Sequence, residues 1–234
     1  MSLLAERTLY GISKPLIGTY TGAMLNMDIQ MHDSFPDGAK IIAANHPSTT
    51  DPFFVAWLLK RQSFILIKDT LFNVPILGAY LRASGHIQVK AGDGQLAIDA
   101  AVEHLKRGHT VVIFPEGKVS PITGGFNPVR SGIGRIALAS GAPVIPVGIF
   151  LDRSLIHSVP ARVKGKDEIG HWYWQGPYNM TVGSAESFTG SPDDWERVRE
   201  VSDKVMHKIM DLSYESQNRQ FRKSRIIAGF LASI

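Results

Sequence analysis

The sequence predicts an α/β fold, a single domain with a mostly parallel central sheet flanked by helices. Between residues 40 and 151, short apolar runs alternate with helix-like stretches, and this alternation is typical of a largely parallel sheet. The chain has 234 residues, and chains below about 250 residues usually form one domain. Hydrophobic residues make up 44% and charged residues 20%, which indicates a folded globular protein rather than a disordered one.

The individual elements follow from the apolar periodicity and from the Gly and Pro residues between the runs. The predicted strands are 40–44, 64–67, 86–89, 110–114 and 144–151, with a later β segment in 172–182. The predicted helices are 52–59, 75–83, 95–107, 131–141 and 192–212. Residues 117–130 are predicted to form a long loop, and loops of that length are often functional. Residues 152–170 are charged and are predicted to be irregular.

Capping residues mark several predicted helix ends. Asp93 and Ser131 each precede a helix as candidate N-caps, and Gly108 and Gly141 follow the same helices as stops. The helix over 192–212 is amphipathic, and packing alone explains its apolar side, which consists of Trp195, Val198, Val201, Val205, Ile209 and Leu212.

The chain is predicted to have three parts: a helical segment over 1–37, the main domain over 38–212 and a tail over 213–234. The first segment reads as a helix pair or one broken helix, which either lies in a membrane interface or packs on the core. Its apolar face would be formed by Leu3, Leu4, Leu9, Tyr10, Leu16, Ile17, Met24 and Leu25.

The tail combines a basic collar with a short apolar end. The collar residues are Arg219, Arg222, Lys223 and Arg225, and residues 226–234 read IIAGFLASI. Nine residues are too few to span a bilayer but could dip into one. Surface anchoring is the preferred interpretation, and docking on the protein itself or fraying is the alternative.

Composition limits the class of protein. The chain has no Cys, which excludes disulfides, a thiolate nucleophile and a Cys-based metal site. Lys and Arg exceed Asp and Glu by 25 to 21, a mild excess that suits an anionic lipid surface or a phosphate-bearing substrate. Charged residues interrupt the apolar residues near the N-terminus, so we expect no signal peptide and a peripheral protein on the cytoplasmic face of a membrane.

The first candidate site is the run NHPSTTD over residues 45–51. It follows a buried strand and precedes a helix, which is where α/β folds build their sites. On a continuous helix, residues five apart diverge by about 140°, so His46 and Asp51 meet only if a turn lies between them. Asp51 would then fix the tautomer of His46 as the acid does in a Ser-His-Asp triad. Alternatively, Asp51 before Pro52 is an N-cap with Pro at the first helical position.

Two further runs carry charge at the ends of elements. Phe114-Pro115-Glu116-Gly117 puts a carboxylate at a strand end, beside a Gly where the backbone could approach a ligand. Arg130 stands at the start of a helix, where free N–H groups favour an anion such as phosphate. An ordinary capped helix with one exposed Arg is the alternative for that position.

Taken together, these motifs resemble those of the glycerolipid acyltransferase superfamily, whose best-known members are the 1-acylglycerol-3-phosphate acyltransferases. The first signature, built on His-x4-Asp, is present as NHPSTTD, the third as FPEG at 114–117 and the fourth as VIPV at 144–147. The resemblance covers roughly residues 38–150, with a looser likeness to about 212. It implies a glycerol-3-phosphate acyltransferase-like fold and an acyltransferase domain over 38–212.

The second family signature, Gly-x-Ile-x-x-x-Arg, is altered in this chain. It reads GHIQVKA over residues 85–91, so Ala91 stands where the family has an Arg thought to hold the acceptor phosphate. Lys90 lies one residue early, and on a strand a shift of one residue turns a side chain to the opposite face. Lys90 can replace that Arg only if the strand has already ended there. Lys118 and Val119 also replace the usual Thr-Arg after Glu-Gly.

The resemblance implies that His46 takes the proton of a lipid hydroxyl while that oxygen attacks the thioester of acyl-CoA or acyl carrier protein. Asp51 would orient His46, while Glu116, Gly117 and Ser48 would contact the acceptor. Phosphate would be met by the basic residues Lys118, Arg130 and Lys90. The partners would be a lysolipid acceptor and a membrane surface, and no metal or organic cofactor is implied, because a thioester is already activated.

Two alternatives remain beside acyl transfer: a hydrolase in which His46 activates water, and a non-catalytic lipid-binding protein of the same fold. Nucleic-acid binding has little support, because the basic residues cluster in the tail instead of interleaving with aromatics along a face. The other His residues form no spaced ligand set, so a metal site is not expected. An acyl chain would be enclosed by some of Phe53, Phe54, Trp57, Leu71, Phe72 and Leu77, for which core packing is the alternative.

Overall fold

A computed structural model describes residues 3–163 and 166–231, with side chains over 11–163 and 167–225. The helices are α1 (Leu3–Met24), α2 (Asp51–Leu58), α3 (Leu77–Ala83), α4 (Gly94–Lys106), α5 (Gly132–Ser140) and α6 (Trp195–Leu231). The strands are β1 (Leu25–Met31), β2 (Lys40–Ala44), β3 (Ser63–Lys68), β4 (Ile87–Val89), β5 (Thr110–Ile113), β6 (Val144–Leu151), β7 (Ile156–Val163), β8 (Lys166–Tyr173) and β9 (Gly176–Val182). Short 3-10 turns cover Asp69–Asn73 and Arg153–Leu155.

Seven strands form the central sheet in the order β1-β9-β6-β2-β5-β3-β4. The five strands from β6 to β4 are parallel, and β9 with its neighbour β1 runs the opposite way. The predicted α/β fold with a mostly parallel sheet is confirmed. Parallel strands are buried on both faces, and β2 and β5 are buried along their whole length.

Helices cover both faces of the sheet and divide the core in two. Residues of β2 alternate between the halves: Ile41 and Ala43 pack with α4, α5 and α6, and Ile42 and Ala44 pack with α2 and α3. The second half also receives Leu25, the first residue of β1. The carboxyl ends of β2, β5 and β6 therefore meet at one edge, where the run over 45–51 begins.

The region over 152–170, predicted to be irregular, contains a β-hairpin instead. Strands β7 and β8 pair antiparallel in one continuous register from Ile156–Tyr173 to Val163–Lys166. Six of the eight residues of β7 are exposed, so the strand has no apolar alternation by which the sequence could reveal it. The hairpin buries side chains only at its base, where Tyr173 is buried in the core and Ile156 packs against it.

The two ends of the chain also differ from the prediction. α1 is one helix through Pro15 and leads into β1, which pairs with β9, so residues 25–31 belong to the sheet. α6 continues past residue 212 without a break. The side chains of Leu3, Leu4, Leu9 and Tyr10 lie outside the described residues, as do those of 226–234. Within the part of the chain that the structure describes, no helix is long and apolar enough to cross a membrane.

The basic collar is partly used inside the protein. Arg219 donates to Asp28 and to the carbonyl oxygen of Met180, and the ammonium of Lys223 lies 2.7 Å from Asp28. Burial raises the pKa of Asp28, but the hydrogen bonds and charges of these two cations outweigh it and hold the pKa below its ordinary value. Of the four collar residues, Arg222 and Arg225 are exposed and have no ion pair among the described residues.

Several smaller predictions were right in part: Asp93 and Ser131 are the N-cap residues of α4 and α5, but they lack the expected side-chain bonds. Neither Asp93 nor Ser131 makes a side-chain cap hydrogen bond, and Ser131 has helical φ and ψ rather than the extended conformation that a capping Ser needs. Trp195 is 57% exposed because it is the first residue of α6, whereas the other five residues of its predicted apolar side are buried. Gly141 ends α5 in the left-handed conformation, as predicted.

Candidate active site

His46 and Asp51 lie side by side at the carboxyl edge of the sheet. The turn after β2 brings His46 Nδ1 to 3.0 Å from Asp51 Oδ2. A carboxylate only accepts hydrogen bonds, so this contact places the imidazole proton on Nδ1 and leaves the lone pair on Nε2. No described residue hydrogen-bonds to Nε2. The His46 side chain is 15% exposed, so it is partly open to a molecule in the crevice.

Asp51 is fully buried and holds four hydrogen bonds. Besides His46, it accepts from the backbone N–H and the hydroxyl of Ser48, each at 2.7 Å, and from Tyr178 Oη at 2.8 Å. Burial, and then the charge of Asp51, raises the pKa of Tyr178 well above its ordinary value, so this phenol stays a donor. Thr50, rather than Asp51, is the N-cap residue of α2. Asp51 is therefore not the N-cap of α2, and its role as the orienter of His46 stays a prediction, with which the 3.0 Å contact agrees.

Ser48 does not face the crevice. It is fully buried, its N–H and hydroxyl both donate to Asp51, and its oxygen lies 2.8 Å from Thr50 Oγ1. A side chain in this position supports the carboxylate and has no free group for substrate. The predicted contact between Ser48 and the acceptor therefore finds no support in the structure.

Glu116 is the second fully bonded carboxylate of the site, and it is 1% exposed. Oε1 accepts from the backbone N–H of His46 at 3.0 Å and from Ser120 Oγ at 2.6 Å. Oε2 accepts from the backbone N–H of Asn127 at 2.7 Å and from its side-chain amide at 3.0 Å. Both oxygens of Glu116 are thus bonded to the turn and to the loop over 117–130, and its predicted contact with a head group stays a prediction.

The backbone of His46 is held on both sides. Its N–H donates to Glu116, and its carbonyl oxygen accepts from the N–H of Ser120 at 2.7 Å. Its ring stacks on Phe114, with ring centroids 4.3 Å apart. The side-chain NH₂ of Asn45 donates to the carbonyl oxygen of Ile149, and its side-chain oxygen accepts from the N–H of Ile149. Asn45 therefore holds the turn against β6. The imidazole is thus fixed in place without a bound substrate.

The predicted basic residues lie at different places around the crevice. Arg130 is exposed and packs over Gly117, which has φ +68° and whose Cβ, if it had one, would overlap the Arg130 side chain. Lys118 is exposed beside it. β4 ends at Val89, so Lys90 lies past the strand end, but β4 is three strands from β2, about 14 Å at the usual spacing. The structure thus groups Arg130 and Lys118 near Glu116 and leaves Lys90 at the sheet margin.

Sequence reasoning missed four residues of the site, one of which is Ser120, the donor to Glu116 and to the carbonyl oxygen of His46. Tyr178 comes from β9, and Asn127 from the loop, and neither stands in a pattern that would have marked it. Arg153 donates to the carbonyl oxygens of Pro121 and Gly125 in the same loop. Burial lowers the pKa of Arg153, while the nearby charges of Glu116 and Asp51 raise it. Its position just after β6, at the carboxyl edge of the sheet, is the signal that could have found it.

An apolar cavity begins beside the turn over residues 45–51 and runs under α1 and α2. Its space, counted together with the open solvent at its mouth, is about 960 Å³. Four of the six predicted wall residues line it, namely Phe53, Trp57, Leu71 and Leu77, while Phe54 and Phe72 are buried in the core. Trp172 of the hairpin also lines the cavity, and the next residue back, His171, hydrogen-bonds through its backbone to Thr49.

The described residues contain no group of three or more His, Asp or Glu side chains that could hold a metal ion. His104 and His109 lie with their Nδ1 atoms 3.2 Å apart, on the far side of β3 from the cavity, with Phe64 stacked on His104. Burial and the charge of His109 lower the pKa of His104 to about 4. This pair is separate from the His46 site.

The chain is similar to known acyltransferases. A protein-family model described as Acyltransferase matches residues 26–150, which is 125 of the 234 residues. A 1-acyl-sn-glycerol-3-phosphate acyltransferase of Cocos nucifera is 28% identical over 141 residues, covering 56% of this chain and 46% of the relative. One from Pseudomonas aeruginosa is 28% identical over 129 residues, covering 53% and 49%. A chloroplastic one from Brassica napus is 30% identical over 128 residues, covering 53% and 37%.

These matches therefore span less than half of each relative's length. Among solved structures, the crystal structure of the 1-acyl-sn-glycerophosphate acyltransferase from Thermotoga maritima is similar to this chain, with a TM-score of 0.60 and 21% identity. The likeness covers 92% of this chain and 79% of that one, and at this identity it shows a shared fold.

Proposed function

Because this chain belongs to the Acyltransferase family, we propose that it moves a fatty acyl group from a thioester to the hydroxyl of a lysophospholipid or related lipid. The observation that carries the proposal is the pairing of His46 Nδ1 with the buried carboxylate of Asp51 at 3.0 Å. It leaves Nε2 as a base in the turn whose Thr49 lines an apolar cavity, where an acyl chain would lie. The names of the relatives point to lysophosphatidate-type acceptors.

The chemical step needs only groups that the site holds. The acceptor hydroxyl gives its proton to His46 Nε2 as its oxygen attacks the thioester carbonyl carbon. The C–S bond then breaks, and the departing sulfur takes up the proton from His46. Such a base contributes typically about 10²- to 10⁴-fold to the rate. No acyl-enzyme is required, and no metal or organic cofactor is part of the step.

Asp51 stabilises the imidazolium that forms during the step, and Glu116 acts through the backbone of His46. The Glu116 carboxylate accepts from the backbone N–H of His46 and from that of Asn127 in the loop over 117–130. It thereby keeps the imidazole at a fixed distance from the loop, where the acceptor would bind. Arg130 and Lys118, exposed on the same side, supply positive charge for a phosphate group. Glu116 is thus a positioning residue in this proposal.

The acyl chain would occupy the apolar cavity. Thr49 and Trp172 stand at its end near His46, and Phe53, Trp57 and Leu71 line it further on. An apolar wall favours the methylene chain by about 0.8 kcal/mol for each buried CH₂. The same wall keeps water from the thioester, which favours transfer to a lipid over hydrolysis.

A lipid surface is the proposed setting. Exposed apolar side chains occur on α1, on the segment before α3 and on the hairpin. They include Leu16 at 70%, Ile76 at 87% and Ile169 at 61% exposure. α1 contacts α3, and the 3-10 turn over Asp69–Asn73 contacts both α3 and β7. Such a face can rest in the headgroup region without crossing the bilayer. The cavity would then open toward the membrane.

The test of the reaction is an assay of the purified protein with labelled acyl-CoA and, separately, acyl carrier protein, each with a panel of lysolipids. Diacylated product with one pair supports transfer and identifies the donor and the acceptor, which also tells what Ala91 has changed. Free fatty acid without diacylated product would favour the hydrolase. If a folded protein gives neither product with any pair, the non-catalytic lipid-binding interpretation replaces the proposal.

The test of the lipid surface is sedimentation with vesicles of phosphatidylglycerol and phosphatidylethanolamine. We expect Leu16→Asp and Ile76→Asp each to lower the bound fraction several-fold, because a charge in the headgroup boundary opposes insertion. Leu96→Asp is the matched control, since Leu96 is 58% exposed on α4, away from this face. Equal losses in all three variants would contradict the proposed face.

A further inference from the structure

The apolar cavity has a polar far end. It follows β3, and its lining includes Ile67 toward the catalytic edge and Ser63 at the first residue of the strand. Ser84 and His86 line it immediately before β4, which is parallel to β3. The carboxyl edge of the sheet holds His46, so these polar residues lie at the opposite, amino edge. Ile67 lies four positions along β3 from Ser63, which corresponds to a depth of about 13 Å at the usual rise per residue of a strand.

The hydroxyl of Ser84 has no hydrogen-bond partner among the described residues, although Ser84 is only 6% exposed. A buried polar group without a partner typically costs about 1–3 kcal/mol, and few occur in a native protein. Only its backbone is engaged among the described residues: the N–H donates to the carbonyl oxygen of Tyr80, and the carbonyl oxygen accepts from the side chain of Gln62. Ser84 is therefore a polar group that a molecule in the cavity could satisfy.

His86 adds a donor at the same end. Its Nδ1 accepts from the backbone N–H of Ile65 at 3.3 Å, which assigns the ring proton to Nε2. Burial, and then the charge of His104, lowers the pKa of His86 to about 4, so the ring is neutral at pH 7. The lining near this end thus includes the hydroxyls of Ser84 and Ser63 and the neutral imidazole of His86. It also includes Gln62 and Lys14, which donate to the backbone carbonyl oxygens of Ser84 and Leu59. This polar set suits an oxygen function better than a methyl group.

We propose that the cavity selects acyl chains that carry a hydroxyl at or near the end remote from the thioester, with Ser84 as the residue that recognises it. The proposal rests on the proposed function, in which the thioester lies at His46 and the chain extends along β3. A chain with a methyl end of the same length leaves the Ser84 hydroxyl unpaired. One hydrogen bond to a buried group changes affinity by roughly two- to tenfold.

The test measures binding without turnover. Trp57 and Trp172 line the cavity, so their fluorescence reports occupancy. The probes are fatty acids of roughly 10 to 16 carbons, a range that brackets a depth of about 13 Å, each with and without a terminal hydroxyl. We expect the hydroxylated acid to bind several-fold more tightly than the plain acid at one chain length or two adjacent lengths. Tighter binding of the plain acids at every length would overturn the proposal.

Ser84→Ala removes the recognising hydroxyl and should abolish the preference, while leaving the affinity for plain acids unchanged or higher. Since Ser84 has no side-chain partner to lose, the variant should fold. Ser140→Ala is the matched control, because Ser140 lies on α5 outside the cavity, and it should keep the preference. A preference that survives in Ser84→Ala would contradict the role of Ser84.

The binding result separates this inference from the proposed function. A preference in binding without any diacylated product would leave the inference in place and remove the acyltransferase activity. Diacylated product formed without any preference in binding or in turnover would remove the inference alone. With thioesters as donors, the same preference should appear in the ratio of kcat/KM for hydroxylated and plain chains.

Discussion

The two edges of the central sheet differ in how their buried polar groups are satisfied. At the carboxyl edge, Asp51 and Glu116 each hold four hydrogen bonds, and both are nearly or fully inaccessible to solvent. At the amino edge, the hydroxyl of Ser84 has no partner within the described residues, and His86 is kept neutral by burial. A buried group whose hydrogen bonds are all made is held in one position, whereas a buried group without a partner can form a hydrogen bond with a ligand.

From this difference we infer the proposed roles: the two carboxylates hold His46, and other groups contact the substrate. Substitutions at the carboxyl edge should therefore change kcat, and substitutions at the rim of the crevice should change KM. Substitutions at the amino edge should change chain preference or the pH dependence of stability. The following predictions test this division.

Asp51→Asn should lower kcat by about 10²- to 10⁴-fold, because an amide can present its NH₂ group to His46 Nδ1 and favour the wrong tautomer. The measurement is steady-state kinetics of diacylated product formation, with circular dichroism to verify folding. Asp99→Asn is the matched control, since Asp99 is exposed on α4 and its carboxylate accepts from Gln95 and from no other described side chain. A loss smaller than about tenfold would mean that Asp51 serves mainly to hold the turn.

Glu116→Gln should lower kcat by about tenfold and leave the KM for the acceptor within roughly twofold, because only the support of His46 is weakened. One amide NH₂ would face donors that now bond the carboxylate, so the melting temperature should also fall by about 4 °C. The family's head-group role gives the opposite pattern. An acceptor KM that rises at unchanged kcat would show that Glu116 binds the acceptor.

Arg130→Ala should raise the KM for a phosphate-bearing acceptor by about fivefold with little change in kcat, because an exposed charge mainly aids binding. The increase should shrink at high salt, where exposed charges are screened. Arg107→Ala is the control, since Arg107 is exposed and pairs with Glu103 on α4, away from the site. A fall in kcat at unchanged KM would place Arg130 in the transition state instead.

His86→Gln should reduce the loss of stability that acid causes. The pKa of His86 is about 4 in the folded chain against 6.5 unfolded, so the unfolded state binds more protons between these values and stability falls as the pH drops from 6.5 toward 4. Removing one such group should flatten the slope by up to about 1 kcal/mol per pH unit. Denaturant unfolding at several pH values measures it, and an unchanged slope would show that His86 is already charged in the folded state.

The sequence predicted well the strands and the turn that place His46 and Asp51 at the carboxyl edge of the sheet. The apolar runs of β2 and β6 gave their bounds without error, because strands buried on both faces are continuous apolar runs. The spacing of His46 and Asp51 around a turn predicted that they could meet, and the structure places them in contact. Four of the predicted residues line the cavity, because large apolar side chains follow the run over 45–51 in α2, in the 3-10 turn and at the start of α3.

The parts that sequence reasoning missed depend on partners distant in the chain. Glu116 was expected to face substrate, but its four donors come from His46, Ser120 and Asn127, and no local pattern shows that a carboxylate is already occupied. The hairpin and β1 have few buried residues, so apolar periodicity could not reveal them. β1 is an edge strand, and its pairing with β9 joins residues about 150 positions apart.

The central claim is that His46 is the base in acyl transfer, and the most direct test compares the parent with His46→Ala in one assay. Both are given saturating acyl thioester and the preferred lysolipid, and the initial rate of diacylated product is measured by mass spectrometry. His207→Ala is the control, because His207 is exposed on α6 and bonds only to the backbone of Asp203. We expect the initial rate of product formation to fall by about 10²-fold or more in His46→Ala and to stay unchanged in His207→Ala. A folded His46→Ala variant that transfers the acyl group at the parental rate would contradict it.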